Sequence, residues 1–365
     1  MTRFQNGSGR MFRRSVGSLA VVLLAATVGG IVAVPSAARQ VTGHSHTPHT
    51  VPSSTPTTSP TKGRHHPPRR RHKHRPGRNH PGGVKTGPIP LGVYAGPGDA
   101  AGAYSFAAAL GRPVPYALDY LDASSWTSIS DPQWQLQRWA GSGFKMIWGV
   151  PMLPAFGATL AQGAVGTYDG AFELLAENMV ASGEGSSILM LGWAPAAGGV
   201  PWAVSTYAEA GQYTEYWRRI VDVMRAVPGA QFSFAWDAGE VGGPVPSYLV
   251  YPGDAHVDMV ATMAFDNATP SQHSPAARWD AVASGRYGPD WAASFAARHG
   301  KRFMVAQAGL DGSAYGGRDD PDFFRGLLSF SARSHTAVLV IWNFGTAAVT
   351  SAQFTATFAV LQGAS

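Results

Sequence analysis

No cysteine occurs among the 365 residues. Disulfides, thiolate metal sites and lipid attachment at a terminal cysteine are therefore excluded, and whatever folds must rely on its apolar core. Acidic residues are missing from the first 88 positions, which carry 14 Lys or Arg and no Asp or Glu. All 22 acidic residues fall in 89–365 against the other 14 of the 28 basic ones, so that part is net −8. The overall charge of +6 thus belongs to the N-terminal stretch, and no nucleic-acid partner is read for the folded part. No G-x-G-x-x-G follows the first strand-like run, whose sequel is YAGPGDAAG, which argues against a dinucleotide-binding open sheet. His256, His273, His299 and His335 are scattered without ligand spacing. No metal or other cofactor is expected, and no Ser-His-Asp set or phosphate loop is present.

What is there begins with an export signal. Arg10, Arg13 and Arg14 form a basic region, residues 19–34 are uncharged and mostly apolar, and Pro35-Ser36-Ala37-Ala38 offers small residues for cleavage. The apolar run is short for a span of ~20 residues. Residues 1–38 therefore read as a signal peptide, with a retained anchor as the alternative, and a membrane is a partner only in that second case. The protein is expected to be secreted or held at the cell surface. Residues 39–88 are rich in Pro, Ser, Thr, Gly, His and Arg and hold too little apolar surface to fold, so they read as a disordered linker. The charge peak GRHHPPRRRHKHRPGRNH, residues 63–80, reads as a solvated spacer, with adhesion to anionic cell-wall polymers and unspecific metal binding by the linker's eight histidines as alternatives. Adhesion would strengthen as its histidines protonate below about pH 6.5.

From residue 89 the pattern turns regular. Strand-like runs lie at 90–95, 116–121, 144–152, 187–193, 232–237, 257–265, 302–307 and 336–344, each followed by a helical stretch. Most are continuous apolar runs without alternation, as parallel strands covered on both faces should be. Helices are expected at 169–182, at 205–227, which stops before Pro228-Gly229, and at 321–333, which opens with Pro321. Eight strand–helix units in residues 89–365 predict an α/β fold, a (β/α)8 TIM barrel, with function at the C-terminal strand ends.

Several blocks carry a resemblance to a known family. They are PLGVYAGPGD, GAVGTYDGAFELLAENMVASG, LGW followed by PW, YWRRIVDVMRA, FSFAWDAG, YPGDAHVD and GKRFMVAQAG, in that order over roughly residues 90–360. Together they resemble the glycoside hydrolase family 26 barrels, the β-mannanases, in the secreted form found in actinobacteria. The resemblance implies retaining hydrolysis of β-mannosidic bonds by two glutamates, at the ends of strands four and seven. Such a pair must stand about 5–5.5 Å apart. Laid on LGWAPAAGGVPW, the acid/base position is Ala194, the family Asn falls on Ala196, an aromatic platform falls on Gly199, and Trp202 is kept. The nucleophile position is Gln307. At strand six the family's Asp and Tyr positions are Met263 and Phe265, with Asp266 kept. A methyl group cannot transfer a proton and an uncharged amide is a poor nucleophile.

Other acids lie near strand ends: Asp119, Asp122, Asp237, Glu240, Asp266 and Asp311. Asp237 with Asp266 is the fallback catalytic pair, with loop bonding and helix capping as the plain alternative. Aromatic residues are candidates for stacking on sugar rings. Trp193, Trp236, Phe265, Gln307 and Trp342 are the candidate substrate-binding set, Trp148 is a further strand-end ring, and loop packing is the alternative for each. The leading expectation is a secreted barrel that binds β-mannan or a cell-wall glycan without cleaving it. The alternatives are an active mannanase-like glycosidase with relocated carboxylates, and a surface barrel that presents its loops to a protein. If the basic linker is adhesive, retention of the full chain on isolated cell walls should fall as salt rises, because exposed charges are screened over ~8 Å at physiological ionic strength. Salt-independent retention would contradict it.

Overall fold

The eight apolar runs are too short for helices and rich in branched and aromatic side chains, and they form strands. These are β1 (Leu91–Tyr94), β2 (Tyr116–Tyr120), β3 (Lys145–Val150), β4 (Ile188–Leu191), β5 (Ser233–Asp237), β6 (Met259–Asp266), β7 (Arg302–Leu310) and β8 (Val338–Trp342). The computed structural model describes residues 88–195, 200–239, 245–267, 274–311 and 318–363. The expected signal, the linker through residue 87, and Ala196, Gly199, Glu240 and His273 lie outside the described residues. Each strand pairs in parallel with the next, and β8 pairs with β1 to close the barrel. The expected barrel is thus the observed one. Strand ends differ by at most three residues from the sequence reading, most at β7, which runs on to Leu310.

Ten helices surround the strands among the described residues: α1 (Ala100–Leu110), α2 (Trp126–Ser130), α3 (Gln133–Trp139), α4 (Leu160–Ala164), α5 (Asp169–Ala181), α6 (Tyr207–Ala226), α7 (Pro275–Ala283), α8 (Pro289–Arg298), α9 (Pro321–Arg333) and α10 (Thr355–Gly363). One helix per strand was the expectation, and the distribution differs from it. Three connections carry two helices each, whereas β5 reaches β6 through a single 3-10 turn, Ser247–Val250, among the described residues. Longest of the ten, α6 starts two residues later than expected, with Thr206 as its cap. The Thr206 hydroxyl and Glu209 form a reciprocal capping box. Its end before Pro228 follows from the clash a proline imposes on a preceding helical turn.

Closure decides which side chains point inward. Paired residues in a parallel ladder share a face, so the pairs Tyr94–Trp342 and Tyr120–Gly149 put these positions on one side. A Cβ added to Gly149 would fall within the Tyr120 ring, which therefore lies across that strand inside the barrel. Between β6 and β7 the register shifts: Ala261 pairs with Met304 and Thr262 with Val305, but Met263 pairs with Gln307. Ala306 is the extra residue of a bulge. Without it Ala306 would continue the face of Met304; with it Gln307 does. Bulges commonly re-aim a side chain beside a functional site in this way.

Helix α6 fixes the ends of the neighbouring strands. Tyr216 Oη donates to Met152 O at 2.7 Å, Trp217 Nε1 to Leu191 O at 3.1 Å and Tyr213 Oη to Gly192 O at 2.8 Å. Arg218 Nε and Arg225 Nη1 donate to Pro252 O and Ala255 O at 2.7 and 2.8 Å, lacing down the connection that has no α-helix among the described residues. Against this face α4 approaches through Gly163, whose hydrogen is all that fits over the Tyr216 ring. The ring is buried and its hydroxyl is bonded, so it cannot step aside. Gly163→Ala should therefore lower unfolding free energy by about 1–3 kcal/mol, measured by chemical denaturation; an unchanged midpoint would show that α4 can slide instead.

Candidate functional site

At the C-terminal end of the barrel, inward positions of five strands and Trp193, just past β4, meet in a cluster of rings. Tyr94 and Trp342 lie 4.3 Å apart between ring centres, Tyr94 and Tyr120 5.5 Å, and Tyr120 and Trp193 4.8 Å. Phe265 meets the edge of Trp342 at 5.8 Å. Gln307 closes the ring by donating its amide to the Tyr120 hydroxyl. Tyr94, Trp193 and Gln307 form the buried floor, while Tyr120, Met263, Phe265 and Trp342 keep part of their surface open. Two polar atoms of the floor, Tyr94 Oη and Trp193 Nε1, are buried without a hydrogen-bond partner among the described residues. Such groups cost free energy until something satisfies them.

The loop after β4 is pinned from both ends. Trp202 Nε1 donates to Trp193 O at 2.7 Å and Val204 N–H to Pro195 O at 2.9 Å. Ala194 is left-handed, with φ +46°, a conformation that residues with a Cβ avoid. Its N–H donates to Asp237 Oδ2 at 2.8 Å, while Gly239 N–H donates to Oδ1 at 3.2 Å. Both oxygens of this buried carboxylate are thus engaged by main-chain amides. Burial pushes the Asp237 carboxyl above the usual range, and the two amides offset part of that rise. The same desolvation, with Tyr94, Asp237 and Asp119 nearby, holds the Tyr120 hydroxyl protonated.

The other expected acids serve the scaffold. Asp266 faces away from the rings and meets the buried Arg278 of α7 at 2.6 and 2.7 Å. Arg278 also reaches Asp320, which caps α9 through Phe323 N–H at 2.9 Å. Asp237 lies on the inward face, in register with Ala261, and Asp266 on the outward one, so the fallback pair does not face one site. Asp119 points outward and accepts from Gly98 N–H at 2.8 Å and Trp139 Nε1 at 2.7 Å. Asp122 is exposed and bonds Ser124, and Asp311 lies half-buried just past β7. Trp236 corrects another expectation: it is fully buried outside the strands, against Tyr251 at 5.0 Å and Phe295 of α8 at 5.4 Å. Trp148 likewise faces outward, toward Glu184. Neither can meet a ligand at the mouth. Trp193, Phe265, Gln307 and Trp342 do come together, joined through Tyr94 and Tyr120, two residues not singled out in the sequence. The signal was available in part, since each tyrosine closes a strand that a barrel would point at the site. No cluster of three His, Asp or Glu among the described residues is placed to hold a metal.

Known structures share this architecture. The chain carries the barrel fold of the glycoside hydrolase family 26 β-mannanases. A modular endo-β-1,4-mannanase from Cellulomonas fimi superposes with a TM-score of 0.56 at 19% identity, over 76% of this chain and 70% of that one. The family 26 β-mannanase of Bacteroides ovatus gives 0.51 at 15% identity, over 76% and 88%. The family 26 endo-β-1,4-mannanase catalytic domain of Bacillus sp. JAMB-750 gives 0.53 at 14%, over 76% and 85%. At these identities the likeness is one of fold. No protein-family profile and no curated protein matches the chain.

Buried acids leave a mark on stability. Desolvation is the largest influence on Asp119 and pushes its pKa up to about 6 from an ordinary 3.8, against the pull of Trp139, Gly98 and Tyr120. The folded state thus holds this proton more tightly than the unfolded chain. Its contribution to stability is complete below pH 3.8 and is lost as pH rises through about 6. The melting temperature should accordingly be higher at pH 5 than at pH 7.5. Asp119→Asn should shrink that difference, and an equal difference in the variant would place its origin elsewhere.

Proposed function

We propose that this protein is an exported carbohydrate-binding barrel that holds a neutral glycan at its strand ends and does not cleave it by the retaining mechanism. The observation that carries this reading is the makeup of the mouth. Its rings surround a neutral amide, Gln307, and the inward carboxylate beside them, Asp237, has both oxygens engaged by main-chain N–H groups. Retention requires one carboxyl to protonate the leaving oxygen and an ionised one to form the glycosyl ester. The resemblance assigns those tasks to positions 194 and 307, where this chain has Ala and Gln.

Binding needs less than catalysis. Flat faces such as Trp342 and Phe265 stack on sugar rings, and Gln307 offers both a donor and an acceptor to hydroxyls. The fold's neighbours, named as β-mannanases, make a β-mannan or a related cell-wall glycan the first ligand to try. Export through the N-terminal signal, and adhesion of the basic linker to an anionic wall polymer, complete the reading.

A second reading, hydrolysis by relocated carboxylates, draws on Asp237 alone: a buried carboxyl with a raised pKa beside the mouth is a trait of general acids. One assay separates the two. The full chain should release no reducing ends from β-mannans, and Ala194→Glu with Gln307→Glu should restore weak turnover at most. Trp342→Ala should weaken glycan binding by roughly 1–3 kcal/mol in calorimetry while the protein stays folded. Clear turnover by the unaltered chain would overturn the proposal, as would binding that ignores Trp342.

A further inference from the structure

Asp237, the last residue of β5, faces inward in register with Ala261 of β6 and is 2% exposed. Its two oxygens join two different loops. Oδ2 accepts the Ala194 N–H from the loop after β4 at 2.8 Å, and Oδ1 accepts the Gly239 N–H from the connection after β5 at 3.2 Å. Gly239 O in turn accepts the Ser247 hydroxyl at 2.6 Å, so the contact reaches the 3-10 turn beyond. On the other side Ala194 sits between Trp193, a floor ring of the mouth, and Pro195, whose carbonyl accepts the Val204 N–H.

Ala194 is the strained element. At φ +46° its Cβ crowds its own backbone. Such a conformation persists only where the surroundings over-determine it. An ionised carboxylate offers an acceptor to each of the two amides at once. A protonated one keeps a single good acceptor and presents a hydroxyl to the other N–H, donor against donor. Ionisation of one side chain thus decides whether both loops are held.

The surroundings sharpen that dependence. The ionisable groups that sense Asp237 are the hydroxyls of Tyr120 on β2 and Tyr213 on α6, both kept protonated chiefly by burial. No cation is among the influences on the Asp237 carboxyl: burial raises it, and the Ala194 and Gly239 amides pull it back. Asp119 of β2 and Asp266 of β6 point outward, the first to Trp139 and the second to Arg278. The charge on Asp237 is therefore sustained by the same two amides that it clamps.

We infer that Asp237 is a positioning residue for the glycan site: ionised, it holds Ala194 left-handed, ties the β4 and β5 loops together, and so sets Trp193 in the floor. The inference rests on the proposed function and adds regulation by pH to it. A ligand that fits only the clamped mouth loses affinity in proportion to the clamped fraction, so affinity for a neutral glycan falls on acidification. The fall lies above pH 3.8, the ordinary carboxyl value, because burial moves the group up. Global stability moves the opposite way. The folded state prefers the protonated acid, so the contribution of this group is complete below pH 3.8 and is lost as pH rises through the raised value. A residue that merely supported the fold would move affinity and stability together.

The test uses the full chain and β-1,4-linked mannohexaose, which carries no titrating group. Calorimetry from pH 4 to pH 9 should show affinity about tenfold weaker at the acid end, equivalent to about 1.4 kcal/mol. Asp237→Asn should bind weakly throughout, with the pH dependence gone, and Asp119→Asn should keep the dependence of the parent. Without ligand, the amide proton resonances of Ala194 and Gly239 should titrate together and track the affinity. Amide resonances that stay still would overturn the inference and leave the proposed function standing. So would an affinity that ignores pH while the amides titrate, or an Asp237→Asn variant that keeps the parent's profile. Absence of binding at every pH would instead overturn the mannan reading, and the positioning role with it.

Discussion

Main-chain carbonyls at the ends of parallel strands have no further ladder to join, and each one buried there needs a donor. In this barrel helix α6 supplies the donors. Tyr213, Tyr216 and Trp217 turn their polar tips onto Gly192, Met152 and Leu191, and their rings fill the layer between helix and sheet. Everything at the mouth between β3 and β5 is set by that row. Trp193 and the left-handed Ala194 follow Gly192 directly, the buried Leu153 and Pro154 follow Met152, and the helix-poor connection to β6 hangs on Arg218 and Arg225. One helix thereby replaces loop chemistry that would otherwise need several independent turns.

The acids divide along the same logic. A carboxylate removed from water must be paired or bonded. Asp266 is paired with Arg278, Asp119 accepts an indole and main-chain amides, and Asp237 holds two amides at the strand ends. None is left facing the rings with an idle oxygen. Catalytic carboxylates are the opposite case: they are held close together and underbonded, which costs stability and is recovered only in chemistry. On the proposed reading, Ala at 194 and Gln at 307 relieve that cost, and the packed rings keep their shape because packing does not need the charges.

Much of the molecule was legible beforehand. The absence of glycine-rich phosphate loops and the succession of eight apolar runs were enough for the barrel, and Pro228 and Pro321 bounded helices within a residue or two of where they lie. The mouth was legible only in part. Trp342 and Trp236 look alike in sequence, each near the end of an apolar strand, yet one joins the rings inside and the other packs outside against Phe295. Tyr94 and Tyr120, at the ends of β1 and β2, carry the same ambiguity of direction.

What the sequence determined by itself is the fold: apolar runs without alternation require strands covered on both faces, and their number and spacing require closure. That same property hides the inside from the outside, since both faces are apolar and hydrophobicity carries no sign of direction. Direction was decided by tertiary register alone. The extra residue Ala306 turns Gln307 inward, and closure between β1 and β8 brings Tyr94 under Trp342. Bulges and closure are properties of strand pairs, set by hydrogen bonds between segments far apart in the chain, and no single segment carries them.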